Sequence, residues 1–142
     1  MNTRVMFSSR TDEWSTPQDF YDILNEEFHF DLDVCANEAN HKCPLYYDRK
    51  QDGLKMPWKG HIVWCNPPYG KEIAKWVEKA YTEHKTHGIT IVMLLPARTD
   101  TRWFHSCVYG LAEIRFLKGR LKFGGCKNAA PFPSMLAIYH IK

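Results

Sequence analysis

The sequence lacks any apolar run near the roughly 18 residues that a membrane-spanning helix requires. Its first dozen residues, which are largely polar, also lack the apolar core of a signal peptide. Its five cysteines are an odd number without regular spacing, which argues against the disulfide framework of a small secreted protein. We therefore expect a soluble protein with reduced thiols that stays in the cytoplasm where it is made.

Internal repeats, low-complexity tracts and linkers are also missing from the sequence. The chain has 142 residues, of which 44% are hydrophobic, so it can form one domain with one core but is too short for two. We expect residues 1–13 to form a flexible N-terminal arm and residues 14–142 to form the single domain. The formal net charge is only +3, which permits nucleic-acid binding without demonstrating it.

The positive charge is concentrated in one segment. Lys118, Arg120, Lys122 and Lys127 lie within ten residues that contain no acidic side chain. A basic segment interrupted by glycines can neutralise phosphates, and it can equally be a lysine-rich face exposed to solvent. From this segment alone the two interpretations stay open.

The motif Asn66-Pro67-Pro68-Tyr69 follows directly after the apolar run His61–Cys65. Two adjacent prolines continue neither a strand nor a helix, so the motif predicts a stiff loop at the end of a buried strand. The Asn66 side-chain oxygen and the Pro67 carbonyl can each accept one hydrogen of an exocyclic amine, and Tyr69 can stack on the attached ring. The motif therefore indicates a site for a planar amine such as a flipped-out adenine.

Hydrophobic periodicity predicts strands that alternate with helices, which is typical of an α/β fold with a mostly parallel sheet and flanking helices. Thr16 is expected to cap the first helix, whose apolar face comprises Phe20, Ile23, Leu24 and Phe28. Further helices are expected over Glu72–His84 and Thr99–Tyr109. The expected strands are His29–Ala36, Ile62–Cys65, Ile89–Leu95, Ala112–Leu117 and Met135–Ile141. In such sheets ligands bind at the carboxyl ends of strands, where the Asn66 loop falls.

Several segments together resemble one family. They are Trp14–Pro17, Phe30–Ala36, Asp52–Leu54, Asn66–Gly70, Leu95–Thr101, Gly119–Phe123 and Ala130–Ser134. With them the chain resembles the small phage-type DNA N6-adenine methyltransferases over roughly Trp14 to Tyr139. The resemblance implies a compact Rossmann-like fold and transfer of a methyl group from S-adenosylmethionine to the N6 amine of adenine in DNA. It also implies a single domain, residues 14–142, without a separate target-recognition domain.

The resemblance further implies the site residues. Asn66, Pro67, Pro68 and Tyr69 are the expected catalytic loop. The expected cofactor-binding residues are Thr16, Pro17, Asp33, Cys35, Ala36, Asp48 and Asp52. A carboxylate at Asp33 suits the ammonium and sulfonium charges of the cofactor. The expected phosphate contacts are Arg98, Arg102, Lys118, Arg120 and Lys122. The chain departs from many methyltransferases in having Cys35-Ala36-Asn37-Glu38 instead of a glycine-rich loop after the first strand.

Alternatives remain at this point. A zinc site built from Cys35, His41 and Cys43 matches no common spacing, so no metal is expected. The chemistry requires no covalent enzyme intermediate.

The expected partner is double-stranded DNA, and no membrane is expected. The target sequence must be selected by loops such as Lys118–Pro133 and Asn37–Lys55 or by a second subunit in a homodimer, or else sequence selectivity is low. If the chain is phage-encoded, it acts in the bacterial host cytoplasm. Two other functions stay open, namely a methyltransferase of RNA or protein glutamine, and a catalytically silent nucleic-acid-binding module.

Overall fold

A computed structural model describes residues 14–142, so the arm expected over residues 1–13 lies outside the described residues. The described part of the chain forms three α-helices, one short 3₁₀ helix and one five-stranded sheet. The helices are α1 (Gln18–Phe28), α2 (Ile73–His87) and α3 (Arg102–Cys107), and the 3₁₀ helix is Gly53–Lys55. The strands are β1 (Leu32–Asp33), β2 (Val63–Cys65), β3 (Ile91–Pro96), β4 (Glu113–Phe116) and β5 (Ser134–Tyr139).

The strands follow the order β1-β2-β3-β5-β4 across the sheet. The pairs β1–β2 and β2–β3 are parallel, whereas β5 is antiparallel to both of its neighbours, β3 and β4. The α/β class is therefore confirmed, and the mostly parallel sheet is corrected to a partly parallel one. The apolar pattern of β5 predicts a buried strand but carries no information about its direction, which depends on the strands beside it.

The core lies around the central strands. All six residues of β3 and all six of β5 are buried, as are the three residues of β2. Trp58, Trp64, Trp76 and Trp103 also belong to the core, since each is at most 6% exposed. Within residues 14–142 no helix is both long and apolar enough to cross a membrane.

The first helix differs from its prediction in two respects. It begins at Gln18 after Pro17 and has no side-chain cap, so the prediction that Thr16 caps it is wrong. Ile23 is 68% exposed, and the buried face is formed by Tyr21 and Leu24. The helix turns the face with Tyr21 toward the core, because the Tyr21 ring packs against those of Phe30 and Trp64, with centroids 5.6 and 5.4 Å away.

Strand β1 is much shorter than the predicted His29–Ala36. It ends at Asp33 because the Asp33 side chain accepts hydrogen bonds from the backbone N–H groups of Cys35 and Lys42, which turns the chain into a loop. Helix α3 is also shorter than predicted. Its cap is Thr101, whose hydroxyl accepts from the N–H of Phe104, so the helix begins at Arg102 and not at Thr99.

Candidate active site

A cavity of about 590 Å³ lies at the carboxyl ends of β1 and β2. Its size is in the range of small-molecule sites, roughly 300–1,000 Å³. Nine of the site residues predicted from the sequence line it. They are Thr16, Asp33, Cys35, Ala36, Asp48, Asp52, Asn66, Pro67 and Pro68. Pro17, Tyr69 and the five predicted phosphate contacts do not line it.

Asn66 has both hydrogens of its amide engaged. Its Nδ2 donates to the hydroxyl oxygen of Thr16, 2.9 Å away, and to the backbone carbonyl of Trp14. A carbonyl can only accept, so the Trp14 carbonyl fixes which end of the Asn66 amide carries the hydrogens. The other end, Oδ1, is buried and has no partner among the described residues. An unpaired buried acceptor costs roughly 1–3 kcal/mol, so a hydrogen bond from a ligand donor to Oδ1 would offset this cost.

Tyr69 anchors the Asn66 loop to the sheet. It is 3% exposed, and its hydroxyl donates to the carbonyl of Leu94 in β3, 2.9 Å away. The rings of Phe123 and Phe132 meet it edge-on, with centroids 6.2 and 5.6 Å away. Burial raises the pKa of the Tyr69 hydroxyl well above its ordinary value, so the hydroxyl stays protonated as a donor.

Arg98 also supports this loop. Its Nη1 donates to the carbonyl of Tyr69 at 3.1 Å. This contact gives Arg98 a structural role that the sequence did not indicate. Its side chain lies outside the cavity.

Asp33 is a buried carboxylate at the wall of the cavity. It is 3% exposed, and its two oxygens accept from the N–H groups of Cys35 at 3.3 Å and Lys42 at 2.9 Å. Burial raises the pKa of Asp33 to about 6, although these two hydrogen bonds lower it. A buried carboxylate with this desolvation cost favours a cationic ligand beside it. Asp31 instead is exposed and bonds to His61 and to the N–H of Ile62.

A tight turn places two further carboxylates on the cavity wall. Asp48 accepts from the N–H of Gln51 at 3.0 Å, and Asp52 accepts from the N–H of Leu54 at 3.1 Å. Asp52 has a φ of 59°, in the left-handed region that residues other than glycine seldom adopt. Residues with such strained backbones cluster at functional sites. A Cβ on Gly53 would lie 2.0 Å from the Val34 carbonyl, so only glycine lets this turn approach the end of β1.

The predicted phosphate contacts all lie on the surface. Arg98, Arg102, Lys118, Arg120 and Lys122 are exposed. The basic segment is nevertheless tied to the site, because Phe123 is 1% exposed and its ring meets those of Tyr69 and Trp14. The N–H of Gly124 also donates to the carbonyl of Ser15 at 2.8 Å.

The residues weighed as zinc ligands have other contacts. His41 Nδ1 lies 2.7 Å from the Cys43 carbonyl, and the His41 ring stacks on Tyr46. The Cys43 thiol contacts the hydroxyl of Tyr21 at 3.4 Å. Among residues 14–142, no group of three or more His, Cys, Asp and Glu could hold a metal ion.

Sequence reasoning missed several lining residues. Trp14 contributes a backbone carbonyl, and Asn40 and Lys42 come from an irregular loop without hydrophobic periodicity. Glu72 and Trp76, at the start of α2, also line the cavity. Trp14 falls within the segment Trp14–Pro17 that carried the family resemblance, which was the one signal available for it.

The chain is similar to one known protein family and to two phage proteins. The family profile described as "DNA N-6-adenine-methyltransferase (Dam)" matches residues 4–137. A protein of Haemophilus phage HP1 (strain HP1c1), named DNA N-6-adenine-methyltransferase, is 35% identical over 142 residues, which cover 94% of this chain and 82% of the relative. A protein of the same name from Escherichia phage T1 is 38% identical over 112 residues, covering 78% of this chain and 46% of the relative. The resemblance predicted from the motifs is thus confirmed, and the chain belongs to the Dam family of DNA N6-adenine methyltransferases.

Proposed function

We propose that this chain methylates the N6 amine of adenine in double-stranded DNA with S-adenosylmethionine as methyl donor, and that Asn66 is its central catalytic residue. The observation that carries the proposal is the buried, unpartnered Oδ1 of Asn66, a residue that lines the cavity. An acceptor fixed in place there can bind an amine hydrogen without first losing another partner. The parallel strands β1, β2 and β3, with the cavity at the carboxyl ends of the first two, support a Rossmann-like methyltransferase fold.

The donor set of the cavity fits S-adenosylmethionine. Asp33 suits its ammonium and sulfonium charges, Asp48 its ribose hydroxyls, and Asp52 the amine of its adenine. Thr16, Cys35 and Ala36, which line the cavity, complete the proposed cofactor-binding set together with Pro17, which adjoins Thr16 outside the cavity lining. When bound, S-adenosylmethionine supplies an electrophilic methyl group that an amine nitrogen can take directly.

The catalytic loop acts on the amine of adenine. That amine is a poor nucleophile because its lone pair is delocalised into the ring. Asn66 Oδ1 accepts one amine hydrogen and the Pro67 carbonyl accepts the other, which favours a tetrahedral nitrogen and frees the lone pair. Pro67 and Pro68 keep the loop stiff, so the acceptors need no reorganisation during the reaction. In the transfer a carbon–nitrogen bond would replace the carbon–sulfur bond of the donor, the neutral thioether would leave, and the nitrogen would release its surplus proton to solvent.

A covalent enzyme intermediate plays no part in the proposed reaction. Cys65 directly precedes the catalytic loop and is fully buried. Burial raises the pKa of the Cys65 thiol well above its ordinary value, so the reactive thiolate is disfavoured.

Base flipping brings adenine to the loop, with Tyr69 as stacking partner. Because Tyr69 is buried against the rings of Phe123 and Phe132, a base that stacks on it displaces one of these rings. Arg98, Arg102, Lys118, Arg120 and Lys122 contact phosphates. The contacts of Phe123 and Gly124 support this, because they connect the basic segment to the catalytic loop and to Ser15.

Residues 14–142 act as one domain, in the cytoplasm of a bacterial host. The loops Lys118–Pro133 and Asn37–Lys55 select the target, and a homodimer is a second source of selectivity. The phage origin of the relatives supports the host location.

The experiment supplies methyl-labelled S-adenosylmethionine with duplex DNA, single-stranded DNA, RNA or a glutamine-containing peptide. Digestion of the product to nucleosides then identifies the methylated atom. The proposal predicts label in duplex DNA, recovered as N6-methyladenine. Label in RNA or peptide alone, or cofactor binding without label in any polymer, would contradict it.

A further inference from the structure

We propose that Thr16 is a positioning residue that holds the Asn66 amide in the orientation needed for catalysis, with its oxygen facing the substrate amine. The inference rests on the proposed role of Asn66. It gives Thr16 a task distinct from contact with the cofactor.

The contacts define this orientation. Thr16 is 5% exposed, and its hydroxyl oxygen accepts one hydrogen of Asn66 Nδ2 at 2.9 Å. The Trp14 carbonyl accepts from the same nitrogen. An amide nitrogen carries two hydrogens, so these two acceptors satisfy it fully. Oδ1, at the opposite end, has no partner among the described residues.

A flipped amide would defeat the proposed chemistry. Rotating the Asn66 side chain by half a turn would present N–H groups to an amine that also offers N–H groups. It would also place Oδ1 against the Trp14 carbonyl, where two acceptors meet without a hydrogen between them. The Trp14 carbonyl, which can only accept, therefore selects the productive orientation, and the Thr16 hydroxyl holds the amide in that orientation before a base arrives.

The segment that carries these acceptors is itself fixed. Ser15 pairs with Gly124 as an isolated antiparallel bridge, and the Gly124 N–H donates to the Ser15 carbonyl at 2.8 Å. The ring of Trp14 meets those of Phe123 and Phe132 at 5.5 and 5.2 Å. Thr16 is therefore presented to Asn66 from a segment that is anchored at both Trp14 and Ser15.

The test compares Thr16→Val, which keeps the shape but removes the acceptor, with Thr16→Ser, which restores it. Thr82→Val is the matched control, because it makes the same change at an exposed position of α2 outside the cavity. The measurements are kcat and KM for DNA methylation, S-adenosylmethionine affinity by calorimetry, and hydrogen exchange of the Asn66 side-chain amide by NMR. The Asn66 signals are assigned by their loss in Asn66→Ala.

Loss of one such hydrogen bond corresponds to roughly a tenfold effect. At saturating cofactor, we expect Thr16→Val to lower kcat about tenfold and to speed exchange of the Asn66 amide hydrogens by a similar factor, whatever its effect on cofactor affinity. Thr16→Ser should restore both values, and Thr82→Val should alter neither. If Thr16→Val does not fold, Thr16→Ala gives the same comparison, because it removes the acceptor without adding bulk.

Wild-type kcat and wild-type amide exchange in a folded Thr16→Val would overturn the inference. Loss of cofactor affinity with unaltered Asn66 exchange would also overturn it, since Thr16 would then act on the cofactor alone. Failure of the proposed function is distinguishable, because the wild-type protein would then transfer no methyl group. The exchange measurement would still report whether Thr16 holds the Asn66 amide.

Discussion

At the scale of single residues, two polar side chains of the cavity wall have oxygens kept from water: Asn66, which is half-buried, and Asp33, which is buried. Asn66 keeps an acceptor there without a partner among the described residues, and Asp33 keeps a carboxylate out of water. Each has a free-energy cost in the folded protein that a ligand of matching chemistry would offset. An amine donor matches Asn66, and a cation matches Asp33.

The titration of Asp33 gives a prediction about stability. Its pKa is raised by burial to about 6, above the value of about 4 expected in the unfolded chain. The folded state therefore favours the protonated carboxyl, and this contribution is fully present below about pH 4 and lost as the pH rises through about 6. Relative to Asp33→Asn, the free energy of unfolding of the wild type should fall by about 2–3 kcal/mol between these limits.

Urea unfolding of both proteins at several pH values between 4 and 7.5 measures this difference. Above about pH 7 the difference should stay constant. Parallel pH profiles for the wild type and Asp33→Asn would show that Asp33 is not a desolvated carboxylate.

The positions of Asn66 and Asp33 could be predicted from the sequence, but the contact between Asn66 and Thr16 could not. Asn66 and Asp33 were predictable because each falls at the end of an apolar or alternating strand pattern and in a segment with a family resemblance. The contact between Asn66 and Thr16 joins positions 50 apart in the chain, and no local pattern indicates such a bond. Thr16 was therefore predicted as a helix cap, a role that local sequence does indicate for a threonine before a proline.

At the scale of elements, the position of the Gly53–Lys55 turn depends on its first residue. A Cβ at Gly53 would lie 2.0 Å from the Val34 carbonyl and 2.9 Å from the ring of Trp76. The carbonyl belongs to the backbone just after β1, so relief requires the turn and the strand end to separate. We expect Gly53→Ala to lower the free energy of unfolding by about 3 kcal/mol, at the upper end for overpacking. It should also weaken S-adenosylmethionine binding, because Asp52 moves with the turn.

Gly60→Ala is the control for Gly53→Ala. Gly60 has a φ of 85° and open space where a Cβ would stand, so alanine there adds only backbone strain, about 1–2 kcal/mol. Thermal and urea unfolding with calorimetric cofactor binding compare the two variants. Equal destabilisation, with cofactor affinity kept in both, would contradict the proposed role of Gly53.

The helices and strands with the clearest hydrophobic pattern were predicted with the most accurate bounds. The apolar run ending at Leu95 and the amphipathic pattern of α2 gave these elements close to their observed bounds. The long strand predicted at His29–Ala36 failed because the Asp33 side chain takes over backbone N–H groups that a longer strand would use. Hydrogen bonds between side chain and backbone of this kind leave the alternating pattern intact, so the pattern alone cannot detect them.

At the scale of the whole molecule, a cavity with acidic residues and a basic surface segment lie next to each other. The carboxyl ends of β1 and β2 border the cavity, whose acidic residues suit a cationic cofactor. The segment between β4 and β5 carries exposed cations, and its Phe123 packs against Tyr69 of the Asn66 loop. The sequence did not predict the antiparallel direction of β5. Because of this direction β5 starts beside the ends of β3 and β4, so the segment before it leaves the sheet at the carboxyl ends of those strands.

This arrangement predicts how DNA affinity depends on salt. Replacing Lys118, Arg120 and Lys122 by glutamine should weaken DNA binding and lower the slope of log affinity against log salt by roughly 0.9 for each phosphate that is no longer neutralised. Glutamine at the exposed Lys59, Lys85 and Lys142 removes the same net charge elsewhere and serves as control. Fluorescence anisotropy over a series of salt concentrations gives both slopes. An equal change in the two triple variants would mean that the basic segment makes no specific phosphate contacts.

The central claim is that the fixed oxygen of Asn66 activates the amine of adenine. The most direct measurement is the rate of labelled methyl transfer to duplex DNA by the wild type and by Asn66→Ala, with S-adenosylmethionine affinity measured on the same preparations. Removal of one fixed catalytic hydrogen-bonding group commonly lowers kcat by roughly 10²–10³. We predict a fall of that size with cofactor affinity little changed. Methyl transfer by a folded Asn66→Ala at the wild-type rate would contradict the account.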